Sequence, residues 1–187
     1  MAKFILGKKL GMTTIYDSGL EALNITLVEC PLNTVTLLRT KEKDKYEAVR
    51  VEIQKTKNKI FQKEFRVSNP QVKAGDAIGV DIFSVGDMAN VSGTAKAKGF
   101  QGVVKRHGFK GAPKSHGHKH DLRAPGSIGS GFPEHVTKGK RMAGRMGGKR
   151  STNRNSEIVY VNKEKNLIGL KGSIAGIPGA IVEIFVK

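Results

Sequence analysis

The apolar and polar positions of this chain alternate with a period of two over several short stretches, and nowhere with a sustained helical period. NITLVEC, Asn24 to Cys30, is rich in β-branched residues, and TVTLLRT, Thr34 to Thr40, follows after Pro31, Leu32 and Asn33, so two successive strands are predicted. Asp17, Ser18 and Gly19 form a turn signal between TTIY and EALNITL, which predicts a hairpin. The clearest alternation puts Val49, Val51 and Ile53 on one face and Arg50, Glu52 and Gln54 on the other, giving one dry face and one wet face. KEKDKY, just before it, reads as an exposed turn. Residues 55 to 74 are polar and irregular, with room for a short helix around Ile60 to Phe65. Ile78, Val80 and Ile82 alternate with Gly79 and Asp81, predicting a strand over Ala77 to Phe83. EIVYV (157–161) and NLIGLKG (166–172) flank the polar NKEKN as a hairpin, and AIVEIFV (180–186) closes the chain as another strand. Seven or eight short strands predict a mainly β protein, a small closed β-barrel rather than a sandwich.

Charge divides the chain. Residues 91–154 hold 15 of the 33 Lys and Arg, all five His, 13 of the 23 Gly and only two acids, Asp121 and Glu134, a net +13 of the formal +17. Outside them 18 basic residues face 14 acidic ones. A stretch so charged, with hardly an apolar run after Val103 and Val104, buries too little surface to offset the entropy of ordering its backbone, and calls for a polyanion. The expected division is a β-barrel body of residues 1–90 plus 155–187 and a basic Gly/His-rich extension, 91–154. Strand patterns on both sides make the extension an insertion whose two ends emerge close together.

Within the extension, Lys96, Lys98, Lys105, Arg106 and Lys110 interleave with Phe100, His107 and Phe109. Cations attract phosphates and flat side chains stack on unpaired bases, although Phe100 and Phe109 equally suit local packing. Lys114, Lys119 and Arg123 surround His116, His118 and His120, which in an extended segment all point to one side. That spacing admits a metal ion, but the neighbouring cations oppose one and no fourth ligand is implied, so imidazoles contacting phosphate, ribose or bases fit better and no metal site is assigned. RAPGSIGSGFP, Arg123 to Pro133, is a sharply bent loop. TKGKRMAGRMGGKRSTNR adds Lys138, Lys140, Arg141, Arg145, Lys149, Arg150 and Arg154 with no acid. It has some likeness to a nucleotide-cradling loop, which fails because Ala143 stands where the first Gly belongs and Arg150 separates Lys149 from Ser151. All these cations, with Phe100 and the four histidines named, are candidate RNA-binding residues.

Several function classes drop out. The acids of the extension form no tuned pair and no nucleophile stands beside a base, so no catalytic residue, enzyme activity or cofactor is assigned. Cys30 is alone, which excludes an intramolecular disulfide framework, and it reads as a small buried residue. No run of about 18 apolar residues spans a membrane, and the four-residue apolar run before Gly7 is far short of a secretion signal.

Four stretches carry a resemblance: GKKLGMTTIYD (7–17), SGTAKAKGFQGVVKRH (92–107), RAPGSIG (123–129) and KGKRMAGRMG (138–147). In these the chain closely resembles the universal L-three family, the third protein of the large ribosomal subunit, in its bacterial or organellar form. The resemblance implies a translation-factor-like β-barrel whose long extension reaches through large-subunit rRNA toward the peptidyl transferase centre. By position, Met142, Gly144, Arg145 and Met146 lie nearest the catalytic RNA. It also implies early binding during assembly, neighbouring ribosomal proteins packed on the barrel, no membrane and no homo-oligomer, and a place in the cytoplasmic or organellar ribosome. Many bacterial relatives carry a Gln, enzymatically methylated, where this chain has Arg145, so that modification is not expected and a guanidinium contact with phosphate or base takes its place. The segment between Gln54 and Lys73 is compact, so any subdomain that relatives carry there is reduced. Two other classes stay open: a metal-dependent hydrolase on His116, His118 and His120, and a nonribosomal nucleic-acid chaperone.

Overall fold

A computed structural model describes residues 3–16, 21–68 and 70–186. The elements, in chain order, are β1 (Lys3–Tyr16), β2 (Ala22–Glu29), β3 (Asn33–Arg39), α1 (Lys41–Asp44), β4 (Ala48–Thr56), β5 (Lys59–Phe65), β6 (Ala77–Ile78), a 3-10 turn (Val80–Ile82), β7 (Met88–Thr94), β8 (Phe100–Gln101), α2 (Val103–His107), β9 (Gly144–Arg145), β10 (Arg150–Asn162), β11 (Leu167–Lys171) and β12 (Ile181–Val186). The protein is mainly β. It divides into two compact units, one made of residues up to Ala95 and from Arg150, the other of Lys96–Lys149.

In the first unit, six antiparallel strands pair in the order β1, β12, β7, β10, β11, β2, and β2 pairs again with β1, so the ladder closes on itself. Closure leaves none of these strands as an open edge. The remaining four strands form a sheet in the order β5, β4, β3, β6. Two cores follow from this arrangement. Ile5, Val28, Val91, Ile158, Ile168, Leu170 and Ile184 belong to one, and Phe4, Leu6, Val35, Val49, Val51, Ile53 and Phe65 to the other. Strand β1 serves both, Ile5 facing one core and Phe4 and Leu6 the other. A strand buried on both faces reads as a continuous apolar run. FIL, Phe4 to Leu6, is such a run. In the second core Phe4 stacks on Phe65 at 5.0 Å between ring centroids, and Phe65 faces Phe185 at 6.4 Å.

The strand readings at Asn24–Cys30, Thr34–Thr40, 157–161, 166–172 and 180–186 correspond to β2, β3, β10, β11 and β12, and Val49, Val51 and Ile53 are buried as expected. Cys30 is fully buried, and burial pushes its thiol pKa far up. Strands β1 and β2 do form an antiparallel pair, but the Asp17–Gly19 turn lies outside the described residues.

Two expectations are corrected. Ile60 to Phe65 is not helical: Lys59–Phe65 is strand β5, paired with β4 from Val49↔Phe65 to Thr56↔Lys59. It is the outermost strand of its sheet and only Phe65 in it is buried, which allows the polar, irregular composition that hid its period. The strand at Ala77–Phe83 stops after Ile78 and becomes the 3-10 turn. Ile78 is buried in one core and Val80 in the other, so the chain passes between cores at Gly79 rather than running along one face. KEKDKY is exposed as expected, its turn being the single helical turn α1, closed by Lys45 at φ 65°.

Three basic side chains of the first unit act as intramolecular braces. Lys9 is buried, its Nζ donating to the carbonyls of Ile174 (2.8 Å) and Gly176 (3.0 Å). Arg150 donates to Glu183 at 2.6 Å, and Lys63 lies 3.0 Å from the same carboxylate.

Candidate nucleic-acid interface

The Lys96–Lys149 unit carries 13 basic residues against Asp121 and Glu134. Val103 is its sole buried hydrophobic residue among those described. Almost every side chain from Pro113 to Arg141 is exposed, Ala124 being the exception. Without a core, order here comes from backbone pairing, turns and a few polar clamps.

One end of the unit is a small platform. β8 pairs with β9 through Phe100↔Arg145 and Gln101↔Gly144. The ladder is extended by Lys98 N–H donating to the Met146 carbonyl and Met146 N–H donating to Gly99, both at 2.9 Å. Helix α2 follows, closed by Gly108 in the left-handed region (φ 75°), a conformation glycine adopts without Cβ strain. Its Arg106 donates through Nη1 to the Met142 carbonyl at 2.6 Å, and His107 Nε2 lies 3.1 Å from the same oxygen. Gly144 makes room for this clamp, since a Cβ there would lie 2.6 Å from Arg106 Nη1. Gly147 (φ 70°) packs so closely on the Lys96 carbonyl that no larger residue fits. The segment Met142–Gly148 is thus held as a fixed loop on α2 and β8, with Arg141, Arg145 and Lys149 exposed around it.

Among the other sequence candidates, Lys96, Lys98, Phe100, Lys105, Lys110, Lys114, His116, His118, Lys119, His120, Arg123, Lys138 and Lys140 are all exposed. Arg106 and His107 are half-buried and spent on Met142, so they position the loop rather than face solvent. Arg150 and Arg154 are exposed on β10 in the first unit, and Thr94↔Arg150 and Ser151↔Gly93 are ladder pairs. Residues 91–94 and 150–154 of the expected extension are therefore strand residues. The two phenylalanines separate: Phe100 is 76% exposed, while Phe109 is half-buried with its ring 6.1 Å from that of His107.

The extended histidine row required by the hydrolase alternative does not form. His116 sits in a turn at φ 61° and Gly117 at φ 85°, which breaks the alternation that would aim His116, His118 and His120 to one side. Among the described residues no cluster of three or more His, Cys, Asp or Glu is arranged to hold a metal ion.

The clamp on Met142 was not legible in the sequence. Its partners stand 35 and 36 residues away, and only the glycines at 144 and 147 mark a close approach.

Comparisons with known proteins agree with one another. The family model described as ribosomal protein L3 matches residues 20–175. The chain is similar to the large ribosomal subunit protein uL3 of Roseiflexus sp. (strain RS-1), 42% identical over 98% of this chain and 97% of the relative. It is likewise similar to uL3 of Shouchella clausii (strain KSM-K16), at 39% over 98% and 97%. The uL3 of Streptococcus uberis matches at 41% over 98% of this chain and 96% of its own length.

Proposed function

From the premise that the chain belongs to the ribosomal protein L3 family, we propose that it is a structural, non-enzymatic constituent of the large ribosomal subunit that binds large-subunit rRNA. The closed strand ring, read as a translation-factor-like barrel, is the body on which neighbouring ribosomal proteins pack. The Lys96–Lys149 unit is the inserted extension, which joins the RNA early in assembly and reaches toward the peptidyl transferase centre. Its exposed Lys, Arg and His contact phosphates and riboses, Phe100 stacks on an unpaired base, and the Met142–Gly148 loop lies nearest the catalytic RNA. Arg145 there adds a guanidinium that reaches phosphate or base in place of the amide found in many relatives.

The observation that carries this reading is a unit with 13 cations, two acids and a single buried hydrophobic side chain among its described residues. Such a unit presents charge over nearly all of its surface, and a folded RNA supplies phosphates at matching density. The test is assembly: large subunits reconstituted with the full-length protein should retain it through a high-salt wash. A variant with Lys96–Lys149 replaced by a short Gly/Ser linker should be lost in the same wash. A protein that leaves the particle at high salt with its extension intact would instead be a transient nucleic-acid chaperone.

A further inference from the structure

The second unit contains an open cavity of about 640 Å³, of whose lining the contacts proposed above use only Lys110. Phe109, Lys110 and Gly111 line it from one segment of the chain, and Asp121, Ala124 and Pro125 from another. The two segments are tied together. Ala112 N–H donates to the Leu122 carbonyl at 3.2 Å, and Gly111, at φ 74°, packs so tightly on that carbonyl that a Cβ would collide with it. Ala124 N–H donates to the Asp121 carbonyl at 3.1 Å, fixing the turn that carries the carboxylate.

Asp121 is the cavity's acid. The unit's two acids among 13 cations, Asp121 and Glu134, both lack a side-chain hydrogen bond or ion pair among the described residues, and of the two only Asp121 lines the cavity. In a unit that meets polyphosphate, an unpaired carboxylate is repelled from the backbone. What it favours in RNA is a base edge that offers donors. Guanine presents two adjacent donors, N1–H and the N2 amino group, which match two carboxylate oxygens. Adenine and cytosine each set an amino group beside a ring acceptor, and uracil sets its N–H between two carbonyls, so each places an acceptor against the carboxylate. The half-buried Phe109 ring lines the same space for stacking, and the exposed Lys110 supplies a cation for the attached phosphate.

We propose that this cavity is a base-reading pocket for one unpaired guanine of the large-subunit RNA, with Asp121 holding the N1 and N2 edge, Phe109 stacking and Lys110 on the phosphate. The proposal rests on the RNA-binding reading above. It adds a point of base selectivity to a surface otherwise made for phosphates.

The test uses the full-length protein bound to large-subunit RNA and kethoxal, which modifies the N1/N2 edge of exposed guanines. One guanine should be protected by the unmodified protein and become reactive with Asp121→Asn and with Phe109→Ala. Lys110→Gln should leave it protected while making the salt dependence shallower. Asp121→Asn should weaken binding by about tenfold, the scale of a lost bidentate base contact. Replacing that guanine by inosine, which lacks the N2 amino group, should weaken the unmodified protein and leave Asp121→Asn unaffected. Unchanged guanine protection in Asp121→Asn, or tighter binding as expected from merely removing a repulsive charge, would overturn the pocket while leaving RNA binding intact. Failure of the unmodified protein to bind the RNA would overturn both. Asp121 is exposed, so its substitution leaves the fold in place.

Discussion

Asn33 stands where a strand neighbour is missing. β1 pairs with β12 at Leu6, but its pairing with β2 begins only at Lys8, which leaves the backbone of Leu6 open on one side. The fully buried Asn33 side chain fills that gap, its Oδ1 accepting from Leu6 N–H at 2.8 Å and its Nδ2 donating to Leu6 O at 3.0 Å and to Pro31 O at 2.8 Å. Removing it strands buried polar groups, so Asn33→Ala should destabilise the first unit by about 2–4 kcal/mol, read from the urea midpoint. Asn33→Asp should fare no better, since it retains the acceptor but loses both donors and buries a charge. Asp87 offers the pH-dependent counterpart. Lys3 donating at 2.6 Å, with the Ser84 N–H, holds its carboxyl below the ordinary carboxylate range. A lowered folded-state pKa contributes stability that is complete above the unfolded value and is lost as pH falls through the folded one. Below about pH 4 the protein should therefore lose stability more steeply than Asp87→Asn, which should be less stable near neutrality. Parallel urea curves for the two at both pH values would refute this.

At the scale of elements, the local order of the second unit rests on the clamp between α2 and the Met142 carbonyl. Arg106→Ala should free the loop without disturbing the first unit. Hydrogen exchange reads this directly: the amides of Lys98 and Met146, which close the platform ladder, should lose protection, while those of β4 should not change. A loss of about 1–3 kcal/mol of local opening energy is the expected size, as for one hydrogen bond to a charged donor. Equal protection in the variant would mean that the ladder holds the loop unaided. Elements of this kind set the limit of what could be read from the sequence. β4 was legible because one of its faces is wet, which prints the period of two on Val49 to Gln54. The first half of β1 was not, since burial on both faces erases that period, and β5 lost it for the opposite reason, at an exposed sheet edge. The site divides in the same way. Lopsided charge is a property of composition and was visible at once, whereas the approach of Arg106 and His107 to Met142, or the placing of Phe109 and Asp121 around one cavity, depends on chain reversals that carry no periodic mark.

For the whole molecule, the consequence of concentrating charge in one unit is that binding should behave as counterion release rather than as shape recognition alone. Thirteen cations lie between Lys96 and Lys149, and with Arg106 committed to Met142 roughly ten are left to neutralise phosphates. The logarithm of the binding constant should then fall against the logarithm of salt with a slope of about −7 to −9. Substituting Lys138, Lys140 and Arg141 together by Gln should make that slope shallower by about 2–3, because each phosphate contact contributes close to one counterion. The Asn33→Ala variant, by contrast, should change stability and leave the slope alone, since Asn33 faces a core and not RNA. A slope near −2 for the unmodified protein would mean that most of these side chains stay in solvent when the RNA binds, and the extension would then be a spacer rather than the principal contact. Limited proteolysis separates the same alternatives independently. In the free protein, cleavage should concentrate between Lys96 and Lys149, where little is buried, and it should vanish in the assembled subunit, where RNA covers those bonds. Persistent cleavage inside the particle would show the unit exposed, whatever the salt dependence.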